Sequence, residues 1–370
     1  MTNWNSRITN IVDGHVHMGR ITEEAALLRI AEAAGIAQMS LVSIQNPETG
    51  AGLPQSLYMK AQHPQRFFVF AGLNHAAQIS GGRVKTPSLV EQVEAFVELG
   101  CDGLKMIEGK PTSRQRMDIP VSAPYFADYW ARVEELGLPI VWHVNDPEEF
   151  WDPARIPGWA KERNWGYGPG DAQKEQLYAE VDAVLDRYPR LNIIFAHFYF
   201  LSADLARAGR FLDAHPTVFF DLAPGIEMLY NLSHAPEASR AFFVRYAARI
   251  VFGTDLFSSL TVDQGRFRAG LLFRWLEGAD SFRVPAGADF LLGPPEDGRI
   301  QGMALPDDAL TRIYHDNFAN LVGSTPQALK VDRTIALCEQ LASNAAEFSG
   351  QPAAETEAAR VAKKLANACQ

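Results

Sequence analysis

The stretch Ile11-Val12-Asp13-Gly14-His15-Val16-His17 ends an apolar run with two histidines separated by one residue. In a strand, residues two apart share a face, so His15 and His17 present their imidazoles together at the strand's end. Two aimed ring nitrogens are half of a metal site. Candidates for the other half close three later apolar runs: His143 in PIVWHV, His197 in NIIFAHF and Asp255 in RIVFGTD. Lys105 and Glu108 lie in a further run, GLKMIE. Taken singly, each has an ordinary explanation, as an interior histidine with its hydrogen bonds met or an aspartate capping the next segment. Brought to one point, they form a divalent-metal site whose nitrogen and oxygen donors suit zinc and also manganese, iron or cobalt.

Convergence depends on the elements that carry these residues. Strands are expected at Ile11–His17, Met39–Gln45, Phe67–Asn74, Gly103–Glu108, Pro139–Val144, Asn192–Phe198, Thr217–Leu222 and Arg249–Asp255. Helical stretches separate them, among them AALLRIAEAA stopped by Gly35, SLVEQVEAFVEL stopped by Gly100, and Gln173–Tyr188. Short strands, apolar on both faces and alternating with helices, call for a parallel sheet covered by helices, and eight of them close a barrel. The expected fold class is therefore α/β, a (β/α)8 TIM barrel. An open doubly wound sheet would usually bring a GxGxxG turn after its first strand, and DGHVHMGR lacks one. In a barrel the C-terminal strand ends meet at one face, so the polar residues above would share a mouth.

The barrel is expected over residues 1–323, with an insertion at about 256–305 and a closing helix from Asp307 or Asp308 to Gly323. A helical C-terminal extension follows over 324–370, suited to capping the barrel base or joining a subunit contact. The connection 145–170, with Trp151, Trp159, Trp165 and Tyr167, is long enough to serve as a lid or pocket wall, and equally suits a packed aromatic cluster. Asn46, His75, Asn145, Tyr199 and Glu227 follow strand ends and are lesser pocket candidates.

Composition narrows the partners. With 370 residues, 47% hydrophobic and 21% charged, the chain can bury a large core. A formal charge of −10 argues against a nucleic-acid surface and for a small-molecule substrate. Three scattered cysteines, Cys101, Cys338 and Cys369, form no CxxC pair and suggest neither a disulfide framework nor a thiolate zinc site. No apolar leader and no run of 18 uncharged apolar residues is present, so a cytoplasmic protein without a membrane span is expected. A homo-oligomer is expected as well.

The motifs DGHVH, PIVWHV, IIFAHF and VFGTD together resemble the amidohydrolase superfamily of metal-dependent barrels. NIIFAHF, FLDAHPTVFFDLAPG, VFGTDL and DNFANLVG resemble the branch containing hydrolases and nonoxidative decarboxylases of the aminocarboxymuconate-semialdehyde type. The likeness spans roughly residues 11 to 323. It implies that His15, His17, His143 and Asp255 hold one metal with a position left open, that Asp255 also serves as general base, and that His197 orients the water or acts as acid and base. Two-metal members bridge their ions through a carboxylated lysine or a glutamate on strand four, so a second ion is not excluded. Lys105 and Glu108 are three apart, and in a regular strand only one would point inward. One ion, most simply zinc, is favoured, with Lys105 contacting a substrate carboxylate.

The expected activity is hydrolysis of an amide, lactone or ester of a small carboxylate-bearing compound. Nonoxidative decarboxylation of a hydroxylated aromatic or muconate-like acid is the alternative enzyme reading, and a noncatalytic metal-binding barrel is the alternative of another class. His197 weighs against the last, because a structural zinc site is normally closed by its protein ligands without a spare histidine.

Overall fold

A computed structural model describes residues 4–285 and 298–368. Part of the expected insertion, Cys369 and the last residue of the extension lie outside these. Parallel strands run in chain order as β1 (Ile11–His17), β2 (Ile36–Val42), β3 (Phe67–Gly72), β4 (Gly103–Gly109), β5 (Pro139–Val144), β6 (Asn192–Phe195), β7 (Val218–Asp221) and β8 (Ile250–Val251), with β9 (Leu256–Phe257) on the far side of β1. β9 is the continuation of β8 after a break at Phe252–Asp255, so the eighth strand touches β7 with one half and β1 with the other. The seam is sealed where Gly14 N–H donates to Phe252 O at 2.8 Å and Asp255 N–H donates to His15 O at 2.9 Å. Gly14 is required there: a Cβ would stand 2.9 Å from Val251 Cγ1 and 3.0 Å from Phe252 O. The chain is a (β/α)8 barrel, as its strand count predicts.

Inside the barrel Val12, Val42, Phe68, Phe70, Val141, Ile194 and Val251 pack together, and Phe318 joins them. Burying each such side chain contributes about 1.5–3 kcal/mol, so the interior is a packed core below the mouth. Phe318 belongs to the closing helical stretch Asp307–Val322, which contains one π-turn at Arg312–Asp316. Ile313 O in that turn accepts from Phe252 N–H at 2.9 Å, meeting a donor that the break in the eighth strand would leave open.

Several elements depart from expectation. β2 begins and ends three residues earlier than the apolar run suggested. β6 stops at Phe195, and His197 lies in a left-handed turn, with His197, Phe198, Tyr199 and Phe200 at φ 59, 55, 55 and 51°. Asp255 is off the strand too, in the break, with φ 54°. The insertion after strand eight carries a helix, Val262–Glu277, which begins with a Thr261 cap and packs against the helix Glu24–Ala34. Gly265 there meets Ile30, since a Cβ would lie 2.5 Å from Ile30 Cγ2. A two-stranded antiparallel ribbon, Ser281–Arg283 with Arg299–Gln301, follows.

The C-terminal extension forms helices Val331–Ser349 and Glu357–Ala368, which pack on each other and on the helix Leu53–Gln62. It starts at the base, where Ser324 O accepts from Gln38 Nε2 and Asp102 Oδ1 accepts from Gln327 N–H. Lys330 N–H bonds Leu99 O ahead of β4, while Glu357 N–H bonds Thr49 O beyond β2, so the tail runs up the barrel's flank from base to mouth. Among the described residues no helix is long and apolar enough to cross a membrane.

Candidate metal centre

β1 delivers the first two donors. Its pairing register with β2 shifts between Asp13 and Val16, so Val12 packs inside the barrel whereas Val16, four residues on, packs with the outer core. The shift turns His15 and His17 inward, with ring centroids 5.2 Å apart. His17 Nε2 lies 3.2 Å from Asp255 Oδ1, and His15 Nε2 lies 3.9 Å from the same oxygen. Ligand atoms of these three residues all fall within 4.8 Å of one another, close enough to hold one ion. Burial opposes ionisation of Asp255, but the hydrogen bond from His17 and the charges of His17 and Arg268 outweigh it and hold the carboxyl well below its usual range. It is therefore a carboxylate at neutral pH.

Two aspartates that sequence reasoning passed over set this geometry. Asp221, at the end of β7, accepts from His15 Nδ1 at 2.7 Å through Oδ2 and from His197 N–H at 2.8 Å through Oδ1. It fixes His15 with its Nε2 lone pair toward the centre, an orienting carboxylate of the kind found behind metal-ligating histidines. Asp13 accepts from Thr254 N–H at 3.0 Å, Thr254 Oγ1 at 2.5 Å and His15 N–H at 3.2 Å, tying β1 to the break that carries Asp255. The signal for Asp221 was its place in TVFFDL, a strand end equivalent to those of His143 and His197.

His143 and His197 form the other wall. His143 Nε2 is 2.9 Å from Asn145 O, and His197 Nδ1 is 3.0 Å from Ala223 O. A carbonyl only accepts, so each of these nitrogens carries the proton. The remaining nitrogens, His143 Nδ1 and His197 Nε2, face each other at 3.1 Å. Burial pushes both imidazoles below their usual pKa range, His197 well below, so both are neutral near pH 7. Two lone pairs thus confront one another in a buried site. A cation drawing on one of these lone pairs would relieve the opposition and leave the other nitrogen to accept a proton.

Lys105 points into the same space, with Nζ 3.4 Å from His15 Nε2. It is buried, and no carboxylate of the described residues forms an ion pair with it. Burial lowers its pKa to about 8, against the opposing pull of Asp221, Asp255 and Glu108, so it is chiefly an ammonium at neutral pH. Glu108 also faces the mouth, contrary to the expectation that only one of the pair would, because the register between β4 and β5 breaks between Met106 and Gly109. Both residues line a cavity of about 110 Å³ with Asn74, His75, Ile107 and Arg116. Glu108 Oε1 is occupied by His75 Nε2 at 2.7 Å.

The lesser candidates divide. His75 lines the cavity, Asn46 caps its own loop by accepting from Glu48 and Thr49 N–H, and Tyr199 is part of an aromatic layer, stacked on Phe195 at 4.1 Å. Glu227 is buried with neither carboxylate oxygen hydrogen-bonded. The aromatic connection packs as a separate cluster in which Phe150, Ile156, Tyr167 and Ile226 bury the faces of Trp151, Trp159 and Trp165.

The sequence model of a family described as Amidohydrolase matches residues 12–323. Among solved structures, the fold is similar to an uncharacterised TIM-barrel protein from Bordetella bronchiseptica, with a TM-score of 0.51, 13% identity, and 85% of this chain and 99% of that one covered. It is similar to 2,6-dihydroxybenzoate decarboxylase in complex with 2,6-dihydroxybenzoate at TM-score 0.51 and 16% identity, again covering 85% and 99%. The same enzyme from Rhizobium gives TM-score 0.50 and 15% identity with the same coverage. Among curated protein sequences none matches the chain.

Proposed function

The chain belongs to the amidohydrolase family, and from that premise we propose that it is a metal-dependent hydrolase acting on an amide, lactone or ester of a small carboxylate-bearing compound. The observation that carries the reading is the pair of opposed lone pairs on His143 and His197 beside the cluster of His15, His17 and Asp255. The proposed ligands of one divalent ion, most simply zinc, are His15, His17, His143 and Asp255. When bound, such an ion acidifies a water molecule or polarises a substrate oxygen.

The chain's own residues supply the rest. Asp255, held ionised, accepts a proton at Oδ1, while Arg268 Nη2 lies 3.4 Å from Oδ2 and restrains the carboxylate. His197 accepts or returns a proton at Nε2, its ring fixed by Ala223 O. Lys105 binds the substrate carboxylate, with the adjoining cavity taking the remainder of the molecule. Apolar packing beneath the mouth excludes water from the barrel's interior.

A second reading is nonoxidative decarboxylation. The buried Lys105 ammonium beside His15 is placed to hold a carboxylate at the reacting centre itself, and the fold is shared with 2,6-dihydroxybenzoate decarboxylase. The deciding experiment is metal analysis of the purified chain followed by two panels, one of esters, lactones and amides and one of hydroxylated aromatic and muconate-like acids scored for carbon dioxide. Cleavage in the first supports hydrolysis. Carbon dioxide release without cleavage replaces it with the second reading, and a metal-loaded chain inert in both would support a binding role.

A further inference from the structure

The residue after the His143 strand's exit has a task of its own. Asn145 has φ 71°, a left-handed conformation that asparagine tolerates, and the resulting reversal brings both Asn145 O and the Asp146 carboxylate onto His143 Nε2, at 2.9 and 3.3 Å. Asp146 is 2% exposed. Its oxygens are filled from three directions: Lys110 Nζ at 2.6 and 2.5 Å, Tyr167 Oη at 2.5 Å and His143. Lys110 comes from the end of β4, and its ammonium also sits 4.3 Å over the Trp165 ring. Tyr167 and Trp165 both belong to the aromatic connection, whose backbone is pinned back on itself where Tyr167 N–H donates to Phe150 O at 2.8 Å. One carboxylate therefore joins His143 to the aromatic connection that leaves β5.

We propose that Asp146 is a positioning residue for His143, and that the segment Glu148–Tyr167 docks on the same carboxylate, so that ion binding and docking of the segment favour each other. The proposal rests on the reading of His143 as a ligand. The physical reason is that a carboxylate behind a ligating imidazole fixes its tautomer and rotation and strengthens the opposite nitrogen as a donor. Tyr167 and Lys110 fix the carboxylate in turn. Coupling of this kind is reciprocal: whatever the segment adds to ion affinity, the ion adds to the segment's docking.

The test uses the full chain stripped of metal and titrated with zinc alone against a competing chelator. Variants are His143→Ala, Asp146→Asn and Tyr167→Phe, with hydrogen exchange of residues 148–167 followed with and without zinc. Expected are a loss of zinc affinity of about 10- to 100-fold in Asp146→Asn, a smaller loss in Tyr167→Phe, and zinc-dependent slowing of exchange in the wild type that both variants diminish. Tyr167→Phe removes one hydroxyl and keeps the ring, so it carries the test should Asp146→Asn, which strands Lys110, fail to fold. If His143→Ala weakens zinc while Tyr167→Phe binds it as the wild type does and shows the same protection, the positioning role is overturned and the ligand assignment stands. If His143→Ala leaves zinc affinity unchanged, the ligand assignment itself fails.

Discussion

His143 Nδ1 and His197 Nε2 stand 3.1 Å apart with their lone pairs opposed, each ring locked by a backbone carbonyl on its other side. Neither ring can turn to relieve the other without abandoning that carbonyl. Adding an ion should therefore stabilise the fold as well as equip it. At zinc 100-fold above its dissociation constant the gain is about 2.7 kcal/mol, read as a rise in melting temperature by calorimetry. His143→Ala should show little of that rise, and an equal rise in the variant would mean that the opposed pair is not where the ion acts.

Asp221 should matter for the ion without touching it. Asp221→Asn leaves the side chain's shape but weakens its hold on His15 Nδ1 and on His197 N–H. Zinc affinity is expected to drop by about 10- to 100-fold. Circular dichroism should remain that of the wild type, and a variant that binds zinc normally would remove Asp221 from the support of the centre.

Lys105→Met keeps the length of the side chain and deletes its charge. With a carboxylate-bearing substrate in hand, KM should rise by one to two orders of magnitude, roughly what a lost charged hydrogen bond of about 1.5–3 kcal/mol implies. An uncharged ester or lactone analogue should be handled almost equally by both proteins. Loss of one of two bound ions in the variant would instead make Lys105 a bridging group.

Glu227 gives a signature in stability against pH. Burial raises its pKa from 4.5 to about 7. Between those two values the folded chain binds more protons than the unfolded one, so this group's effect is to make stability fall as pH rises through that window. The full loss above pH 7 is on the order of 3 kcal/mol. In urea unfolding, Glu227→Gln should gain on the wild type by about that amount between pH 5 and pH 8, and a gap that does not change with pH would show that Glu227 is ionised, and partnered, throughout.

Much of the architecture was legible because β/α alternation writes itself in apolar runs and glycine stops. β5 matched at both ends, and the HxH of β1, the cluster of His15, His17 and Asp255 and the barrel itself follow from strand order. What the sequence hid is irregular backbone. A period-two pattern cannot show the register shift between Asp13 and Val16, nor the break between Met106 and Gly109 that lets Lys105 and Glu108 share a cavity. Asp221 and Asp146 lie at or just beyond a strand's end, where an aspartate is ordinarily a turn residue, and only the folded chain shows each one behind a histidine. The helix Val262–Glu277 was obscured by Gly265 and Gly270, which weaken a helical pattern; Gly265 is there because Ile30 leaves no room for a side chain.

The left-handed turn at His197–Phe200 bears on when the site comes into being. Four successive non-glycine residues in that conformation cost roughly 1–2 kcal/mol each, and what holds them is packing of Phe198 and Tyr199 against Phe220, Phe243, Tyr178 and Phe211, side chains drawn from later and earlier turns of the barrel. A growing or refolding chain has no reason to adopt the turn until those rings have assembled. His15 is tied to the same turn, because Asp221, which fixes its ring through Oδ2, accepts from His197 N–H through Oδ1. The orientation of His15 and the setting of the turn are thus completed together, and refolding in the presence of zinc should show ion uptake and recovery of activity rising in step.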